Sequence, residues 1–246
     1  FTIAESSGST SVDESGTTDT FTVVLDAQPT SDVVLSISSA DTGEATVTSL
    51  ISFTSVNWDT AQTVTITGVD DNLVDGAQTT SLSIVIVDVI SDDTFDSVAD
   101  QTVSVTTTDD DVAGFTIVES SGSTSVDESG TTDTFTVVLD AEPASDVVLT
   151  IASSDTGEAT VTSTLTFTSA NWDTAQTVTV TGADDDLIDG TITSTVTVSV
   201  NDGSSDNNFD SVADQTVSVS TTDDDVAGFT IVESSGSTSV AESGTT

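Results

Sequence analysis

The stretch Thr20-Phe21-Thr22-Val23-Val24-Leu25 decides the fold class. Its apolar side chains at Phe21, Val23 and Leu25 alternate with neighbours of mixed character, and a period of two is typical of a strand with one buried face. The stretch is rich in threonine and valine, whose β-branched side chains suit a pleated, half-buried surface. It therefore predicts a β-strand that places Phe21, Val23 and Leu25 in a core.

The same alternation recurs along the first 114 residues, and nothing there indicates a sizeable helix. Turns rich in Ser, Thr, Gly and Asp separate the segments, for example at Ser15-Gly16 and Asp75-Gly76. About seven short strands in roughly 110 residues are typical of an immunoglobulin-like sandwich, so we predict an all-β fold of antiparallel β-sandwich domains. The other predicted strands are Val33–Ile37, Thr46–Thr48, Thr63–Thr67, Ser81–Val87, Thr102–Val105, and a split first strand at Phe1–Ile3 and Ser11–Val12.

A long internal repeat organises the chain. Phe1-Thr2-Ile3 recurs at residues 115–117 and again at 229–231, with an offset of 114 residues. This period is too long for a solenoid repeat of about 20–45 residues and matches an independent domain. We predict sandwich domains at 1–114 (the first repeat) and 115–228 (the second repeat). Residues 229–246 are predicted to be the first-strand segment of a third repeat.

The charge of the chain has a single sign. There are 43 Asp and Glu residues among 246, no Lys, Arg or His, and no Cys, so the formal net charge is −43. Histidine- or cysteine-based catalysis, Schiff bases and nitrogen or sulfur metal ligands are thereby excluded. Binding of nucleic acid or of an anionic membrane surface is also excluded, because no cationic side chain is present. The sequence contains no apolar run of about 18 residues, so it predicts no transmembrane helix.

The carboxylates gather at predicted strand ends and loops. Two like charges about 4 Å apart repel by roughly 4 kcal/mol at an effective dielectric constant of 20, and the chain has no cationic side chain to offset this. Protonation, solvated separation on an ordinary acidic surface, or a bound metal are the alternatives. Oxygen-only ligands select Ca²⁺ or Mg²⁺, and flexible loops with many carboxylates favour Ca²⁺.

Three segments resemble motifs of the Calx-β domain, a family found in the regulatory region of sodium–calcium exchangers and in large bacterial surface proteins. They are Val12-Asp13-Glu14-Ser15-Gly16, residues 67–75 (TGVDDNLVD) and residues 108–115 (TDDDVAGF). Residues 39–45 replace the family's middle motif. The near-identical repeats also resemble the extender repeats of bacterial adhesins. The resemblance implies an antiparallel β-sandwich that binds several Ca²⁺ ions at one pole, next to the following domain.

Carried over by position, the resemblance implies a set of carboxylate ligands in each repeat. In the first repeat these are Glu14, Asp41, Asp70, Asp71, Asp75, Asp109, Asp110 and Asp111. In the second repeat they are Glu128, Asp155, Asp184, Asp185, Asp189, Asp223, Asp224 and Asp225.

The predicted function is that of a non-enzymatic, Ca²⁺-binding structural repeat in an extracellular fibre, filament or adhesin stalk at the cell surface. Ca²⁺ would rigidify the junctions, and the partners would be neighbouring repeats or identical subunits. Three alternatives stay open. Thr-rich strands such as Thr63–Thr67 and Thr177–Thr181 would bind glycan or ice; residues 229–246 would add a strand to a neighbouring subunit; or a carboxylate pair would act as a glycosidase.

Overall fold

The structure, a computed structural model, describes residues 1–233 and 236–238. The first repeat is built from ten strands and two short 3₁₀ segments, Asp88–Ile90 and Asp93–Phe95. The strands are β1 Thr2–Glu5, β2 Thr10–Asp13, β3 Thr18–Val24, β4 Val33–Ser39, β5 Ala45–Val47, β6 Leu50–Phe53, β7 Gln62–Gly68, β8 Leu73–Val74, β9 Gln78–Ile86 and β10 Gln101–Thr108.

Nine of these strands form two sheets that enclose a core. One sheet has the order β1-β3-β7-β5 and the other β2-β10-β9-β4-β6. All neighbours are antiparallel except β2 and β10, which pair in parallel. Phe21 and Val23 are fully buried and Leu25 is 2% exposed, as their alternation predicts. The all-β fold with mainly antiparallel sheets is therefore confirmed.

The second repeat has the same architecture, with sheet orders β11-β13-β18-β16 and β12-β20-β19-β15-β17. Its 3₁₀ segments are Asp202–Ser204 and Asn207–Phe209. Its strands are β11 Phe115–Glu119, β12 Thr124–Asp127, β13 Thr132–Leu139, β14 Glu142–Pro143, β15 Val147–Ser153, β16 Ala159–Val161, β17 Thr164–Phe167, β18 Gln176–Gly182, β19 Ile192–Val200 and β20 Gln215–Thr222.

The structure has more strands per repeat than the about seven expected for an immunoglobulin-like sandwich. The predicted split first strand is present, and its halves β1 and β2 lie in different sheets. Strand β6 was not predicted, because three of its four residues are apolar and the alternation is hidden. Ile51 and Phe53 face the core, whereas Leu50 is 59% exposed.

Beyond β20, residues 223–233 have no regular secondary structure. Phe229 and Ile231, the predicted restart of the repeat, are 89% and 78% exposed. Residues 234, 235 and 239–246 lie outside the described residues, so the assignment of 229–246 to a third repeat stays a prediction, as do the domain limits. Within the described part of the chain, no helix has the length and apolar character needed to span a membrane.

Candidate metal centre

Acidic side chains from four separate segments meet at one pole of the first repeat. The segments are the β2–β3 turn, the β4–β5 loop, the loop between β7 and β9, and the residues after β10. They lie at the same pole because these strands all end or begin there. We call this end of the repeat, and its equivalent in the second repeat, the metal pole. In the first repeat the carboxylates that meet there are Glu14, Glu44, Asp71, Asp75, Asp109 and Asp111.

Glu14 is positioned by its own turn and by two neighbouring strands. Its amide donates a hydrogen bond to the Thr108 carbonyl oxygen at 3.1 Å. Gly16 adopts a φ of +88°, which a residue with a side chain rarely does. Gly68 lies so close to the turn that a Cβ atom there would collide with the Asp13 carbonyl oxygen. The result is a glutamate side chain only 1% exposed.

Asp109 ties the segment after β10 to the loop before β9. Its Oδ2 atom accepts hydrogen bonds from the amides of Asp75 at 3.1 Å and Gly76 at 2.7 Å. Its Oδ1 atom accepts one from the Asp111 amide at 2.8 Å. Asp109 thereby fixes the backbone that carries Asp75 and Asp111.

Three carboxylates of the first repeat converge closely. Glu14, Asp71 and Asp111 each offer one oxygen, and these three oxygens all lie within 4.8 Å of one another. Burial, followed by the charges of Asp109 and Asp71, raises the pKa of Glu14 to about 7. The convergence is thus electrostatically unfavourable for ionised carboxylates without a cation.

Several carboxylate oxygens at this pole are buried and have no hydrogen-bond partner among the described residues. Burial is the main cause that raises the pKa values of Glu44, Asp75 and Asp111, and neighbouring carboxylates raise them further. An unpaired buried charge is among the most destabilising features of a folded chain. The oxygens concerned are Glu14 Oε2, Glu44 Oε2, Asp75 Oδ1 and Asp111 Oδ2.

The second repeat forms the equivalent pole as two groups of three. Oxygens of each group lie within 4.8 Å of one another. Burial, and then neighbouring carboxylates, raise the pKa values of Glu128, Glu158 and Asp225. Hydrogen bonds from the Gly190 and Asp225 amides lower the pKa of Asp223. The groups are Glu128, Asp223 and Asp225, and Glu158, Asp185 and Asp189.

Other predicted ligands lie on the exposed rim and outside these groups. Asp41 and Asp155 accept hydrogen bonds from the amides of Gly43 at 2.9 Å and Gly157 at 3.0 Å, which closes a local turn. The remaining exposed members are Asp70, Asp110, Asp184 and Asp224. The assignment of these residues as metal ligands stays a prediction.

Sequence reasoning missed Glu44 and Glu158. Glu158 is 6% exposed, and the side-chain Oε2 atoms of both glutamates are buried without a partner. Each directly precedes a short strand whose first residue, Ala45 or Ala159, is fully buried. The available signal was this position directly before a buried strand. The strand begins at the pole, so the glutamate that precedes it lies there as well.

A buried aspartate at the opposite pole has the contrary environment. Asp92 is 4% exposed, and its carboxylate accepts hydrogen bonds from the amides and hydroxyls of Thr30 and Thr94 and from the Ser31 amide. These bonds hold the pKa of Asp92 well below its usual range. Burial alone therefore does not set the direction of the shift: hydrogen bonds outweigh burial and lower the pKa of Asp92, whereas burial and neighbouring carboxylates raise the pKa of Glu14.

The donor set at the metal pole fits a hard cation. All side-chain donors are carboxylate oxygens, the ligands of Ca²⁺, and the chain has no nitrogen or sulfur alternatives. The partnerless Oε2 atom of Glu14 and Oδ2 atom of Asp111 are the observation that tests the fit, since a cation would satisfy them.

Comparison with known proteins yields structural likenesses at low sequence identity. No model of a protein family matches the chain, and no curated protein matches it. The chain is similar to the solved calcium binding domain CBD12 of CALX1.1, with 13% identity, a TM-score of 0.32, and coverage of 81% of this chain and 80% of that one. CBD12 from CALX1.2 is similar as well, with 12% identity and a TM-score of 0.34. That match covers 89% of this chain and 100% of that chain.

A surface layer protein, SbsC domains 1-6, is also similar, with 17% identity and a TM-score of 0.37. The match covers 77% of this chain and 20% of that chain. These TM-scores are too low for any of the likenesses to bear on function.

Proposed function

We propose that the chain is a non-enzymatic, Ca²⁺-binding structural repeat of an extracellular fibre or stalk, in which Ca²⁺ stiffens the junction between successive repeats. The observation that carries this proposal is the set of buried, partnerless carboxylate oxygens in a chain without Lys, Arg or His. Such a set is destabilising when empty and becomes favourable when a divalent cation is bound. The Calx-β resemblance of the motifs supports the same cation.

The position of the pole supports a role at the junction. Asp109 and Asp111 belong to the segment between β10, the last strand of the first repeat, and β11. Asp71 and Asp75 flank strand β8, which pairs with β14 of the second repeat. A cation held by these carboxylates would restrain both connections at once.

Two ions per pole are the number that the second repeat supports. Its carboxylates form two separate groups, one around Glu128 and one around Glu158. Each ion would offset two negative charges. In the first repeat, the positions equivalent to this second group of Glu158, Asp185 and Asp189 are Glu44, Asp71 and Asp75.

The proposed location is extracellular, because the free Ca²⁺ concentration there matches the usual affinity of such modules. Extracellular Ca²⁺ modules typically bind at about 10⁻⁴–10⁻³ M, which tissue fluid or sea water satisfies and cytosol does not. The high negative charge would keep neighbouring fibres soluble and apart. Neighbouring repeats or identical subunits are the proposed partners, and no catalytic role is proposed for the carboxylates.

Thermal unfolding with and without Ca²⁺ tests this function. We expect Ca²⁺ at about ten times its dissociation constant to stabilise the chain by about 1.4 kcal/mol per independent site, and EGTA to reverse the effect. Combined Glu14→Gln and Glu128→Gln substitutions are expected to remove the part of the gain that comes from the sites around these two glutamates. Asp59→Asn with Asp173→Asn, at exposed positions outside the pole, is the matched control and should keep it. An equal melting temperature in CaCl₂ and EGTA would contradict the proposal.

A further inference from the structure

A short loop of the first repeat docks on the second repeat. We call residues 72–74 the docking loop and residues 141–143 the receiving edge. Strand β8 in the loop pairs in parallel with β14 in the edge, with Leu73 opposite Glu142 and Val74 opposite Pro143. The Glu142 amide donates to the Asn72 carbonyl oxygen at 2.7 Å.

Side chains add to this backbone pairing. Val74 is 9% exposed and belongs to the hydrophobic core of the second repeat. Asn208 Nδ2 donates to the Val74 carbonyl oxygen at 2.6 Å. Ala141 of the receiving edge is 1% exposed. The buried Val74 side chain is therefore the apolar anchor of the contact, and hydrogen bonds from Glu142 and Asn208 hold the loop around it.

The repeat supplies each half of this contact a second time. Residues 186–188 of the second repeat are equivalent to the docking loop, and residues 27–29 of the first repeat are equivalent to the receiving edge. Leu187 and Ile188 are 62% and 60% exposed, whereas Val74 is buried. Ala27 is exposed, whereas Ala141 is buried.

We infer that the docking loop at residues 186–188 binds the receiving edge at residues 27–29 of a second copy of this chain, head to tail. The existing contact between the two repeats is the template: Leu187 and Ile188 are exposed in one half, and in the other Ala27 and Gln28 are exposed while Pro29 is buried, as its equivalent Pro143 is. Because the two surfaces differ, the interface is heterologous, and such contacts propagate into open assemblies unless the rotation closes a ring.

The substitutions between the two copies keep the charge of the contact. Asn72 and Glu142, whose backbones are hydrogen bonded, become Asp186 and Gln28, so one acid remains in the pair. Ile188 replaces Val74 and has one more methylene to bury. Thr94 replaces Asn208, which removes the side-chain amide that donates to the loop.

The contact between separate chains should be weaker than the internal one. The internal contact benefits from the covalent connection through residues 109–114, which gives it a high effective concentration. Two chains with a net charge of −43 each also repel one another. The proposal is therefore tested at about 1 M NaCl, where the screening length is about 3 Å.

Disulfide trapping tests the inference, because the chain contains no cysteine. Equal amounts of a Gln28→Cys chain and a Leu187→Cys chain are mixed at about 0.1 mM and oxidised mildly. Docked cysteines react at effective concentrations in the mM range, so we expect a three- to about tenfold excess of the 28–187 dimer over its statistical share. Adding Ile188→Asp to the second chain should abolish that excess.

Two controls make the result decisive. Gln28→Cys mixed with Leu50→Cys, whose side chain is 59% exposed, should give only the statistical share. A chain with both Leu73→Cys and Glu142→Cys should form an internal disulfide, since these positions are in register. A 28–187 dimer at its statistical share, or no internal disulfide, would overturn the inference.

The outcome is separable from that of the proposed Ca²⁺ binding. The trapping is run in EGTA and in CaCl₂, and an excess in either condition supports head-to-tail docking. If neither condition gives an excess, the docking inference is wrong, whereas a Ca²⁺-dependent melting temperature would still stand by itself.

Discussion

Two buried acids of the first repeat show how donors decide the state of a carboxylate. Glu14 is 1% exposed and Asp92 is 4% exposed, so their burial is similar. Asp92 accepts hydrogen bonds from Thr30, Ser31 and Thr94, which stabilise its charged form. Burial, and then neighbouring carboxylates such as Asp109 and Asp71, destabilise the charged form of Glu14 and raise its pKa. Asp92 is therefore stable as a buried carboxylate, whereas Glu14 needs a cation or a proton.

Replacing Asp92 by alanine should destabilise the first repeat. The substitution removes the acceptor of the Thr30 and Ser31 amides, and hydrogen bonds to a charged group contribute about 1.5–3 kcal/mol. We expect a loss in the free energy of unfolding of that order, measured by urea denaturation. Asp93→Ala, at the exposed neighbouring position, is the control and should change stability little. Equal effects of the two substitutions would refute the structural role of Asp92.

The raised pKa of Glu14 predicts an unusual pH dependence without metal. Its pKa is about 7 in the folded chain against an ordinary value of 4.5. Between these values the folded state holds a proton that the unfolded state has released, so stability falls as pH rises. In EGTA we expect a higher melting temperature at pH 5.5 than at pH 7.5. The stabilisation by Ca²⁺ should be larger at pH 7.5, because the cation binds the ionised form.

General repulsion within an acidic chain also weakens with acid, so the prediction needs a control. The combined Glu14→Gln and Glu128→Gln chain keeps nearly all the other charges. Its melting temperature in EGTA should depend less steeply on pH between 5.5 and 7.5. A slope identical to that of the unsubstituted chain would mean that these two glutamates do not titrate as described.

At the scale of elements, the approach of β18 to the β12–β13 turn holds the metal pole of the second repeat together. A Cβ atom at Gly182 would collide with the Asp127 carbonyl oxygen, which precedes Glu128. Gly182→Ala is therefore expected to destabilise the chain by about 1–3 kcal/mol, as overpacking does. It should also weaken Ca²⁺ binding, because Glu128 moves with the turn.

Gly203→Ala is the matched control for this substitution. A Cβ atom at Gly203 would make only an ordinary contact, 3.9 Å from Asn201 Oδ1. Denaturation and calcium titration of both variants separate loss of stability from loss of binding. If Gly182→Ala matched the control in both measurements, the close approach of Gly182 to the β12–β13 turn would contribute neither to stability nor to Ca²⁺ binding.

The sequence predicted the elements whose patterns are local. The stretch at residues 20–25 became β3 and the residue after it, with the predicted faces buried. It did not predict β6, where Leu50 hides the alternation, or β8, whose two residues form a strand only by pairing with β14. Glu44 was missed for a related reason, because its burial depends on how the β4–β5 loop packs against distant segments. The local pattern of residues along the chain does not predict which distant segments pair.

At the scale of the whole molecule, a net charge of −43 opposes compaction, and the chain contains no basic side chain to offset it. Surface charges are screened by salt, whereas buried carboxylates are screened far less. We expect NaCl to raise the melting temperature of the metal-free chain gradually. Millimolar Ca²⁺ should raise it further at constant ionic strength, and Mg²⁺ should raise it less. Equal effects of NaCl and CaCl₂ at matched ionic strength would indicate screening alone.

Ca²⁺ should also restrain the two repeats relative to each other. The docking loop lies between Asp71 and Asp75, so a cation that holds these carboxylates also holds Leu73 and Val74 in place on the receiving edge. Small-angle X-ray scattering should give a narrower distribution of dimensions in CaCl₂ than in EGTA. Val74→Asp, which disrupts the anchor, should broaden the distribution even in CaCl₂. Identical scattering in all conditions would contradict the stiffening of the junction.

We propose that a divalent cation supplies the missing positive charge at the metal pole. A crystal structure of the chain grown in millimolar CaCl₂, with data collected for anomalous scattering, tests it most directly. We predict strong anomalous peaks among the carboxylates of Glu14, Asp71 and Asp111, and in the equivalent pole of the second repeat. Water alone between those carboxylates under the same conditions would contradict the account.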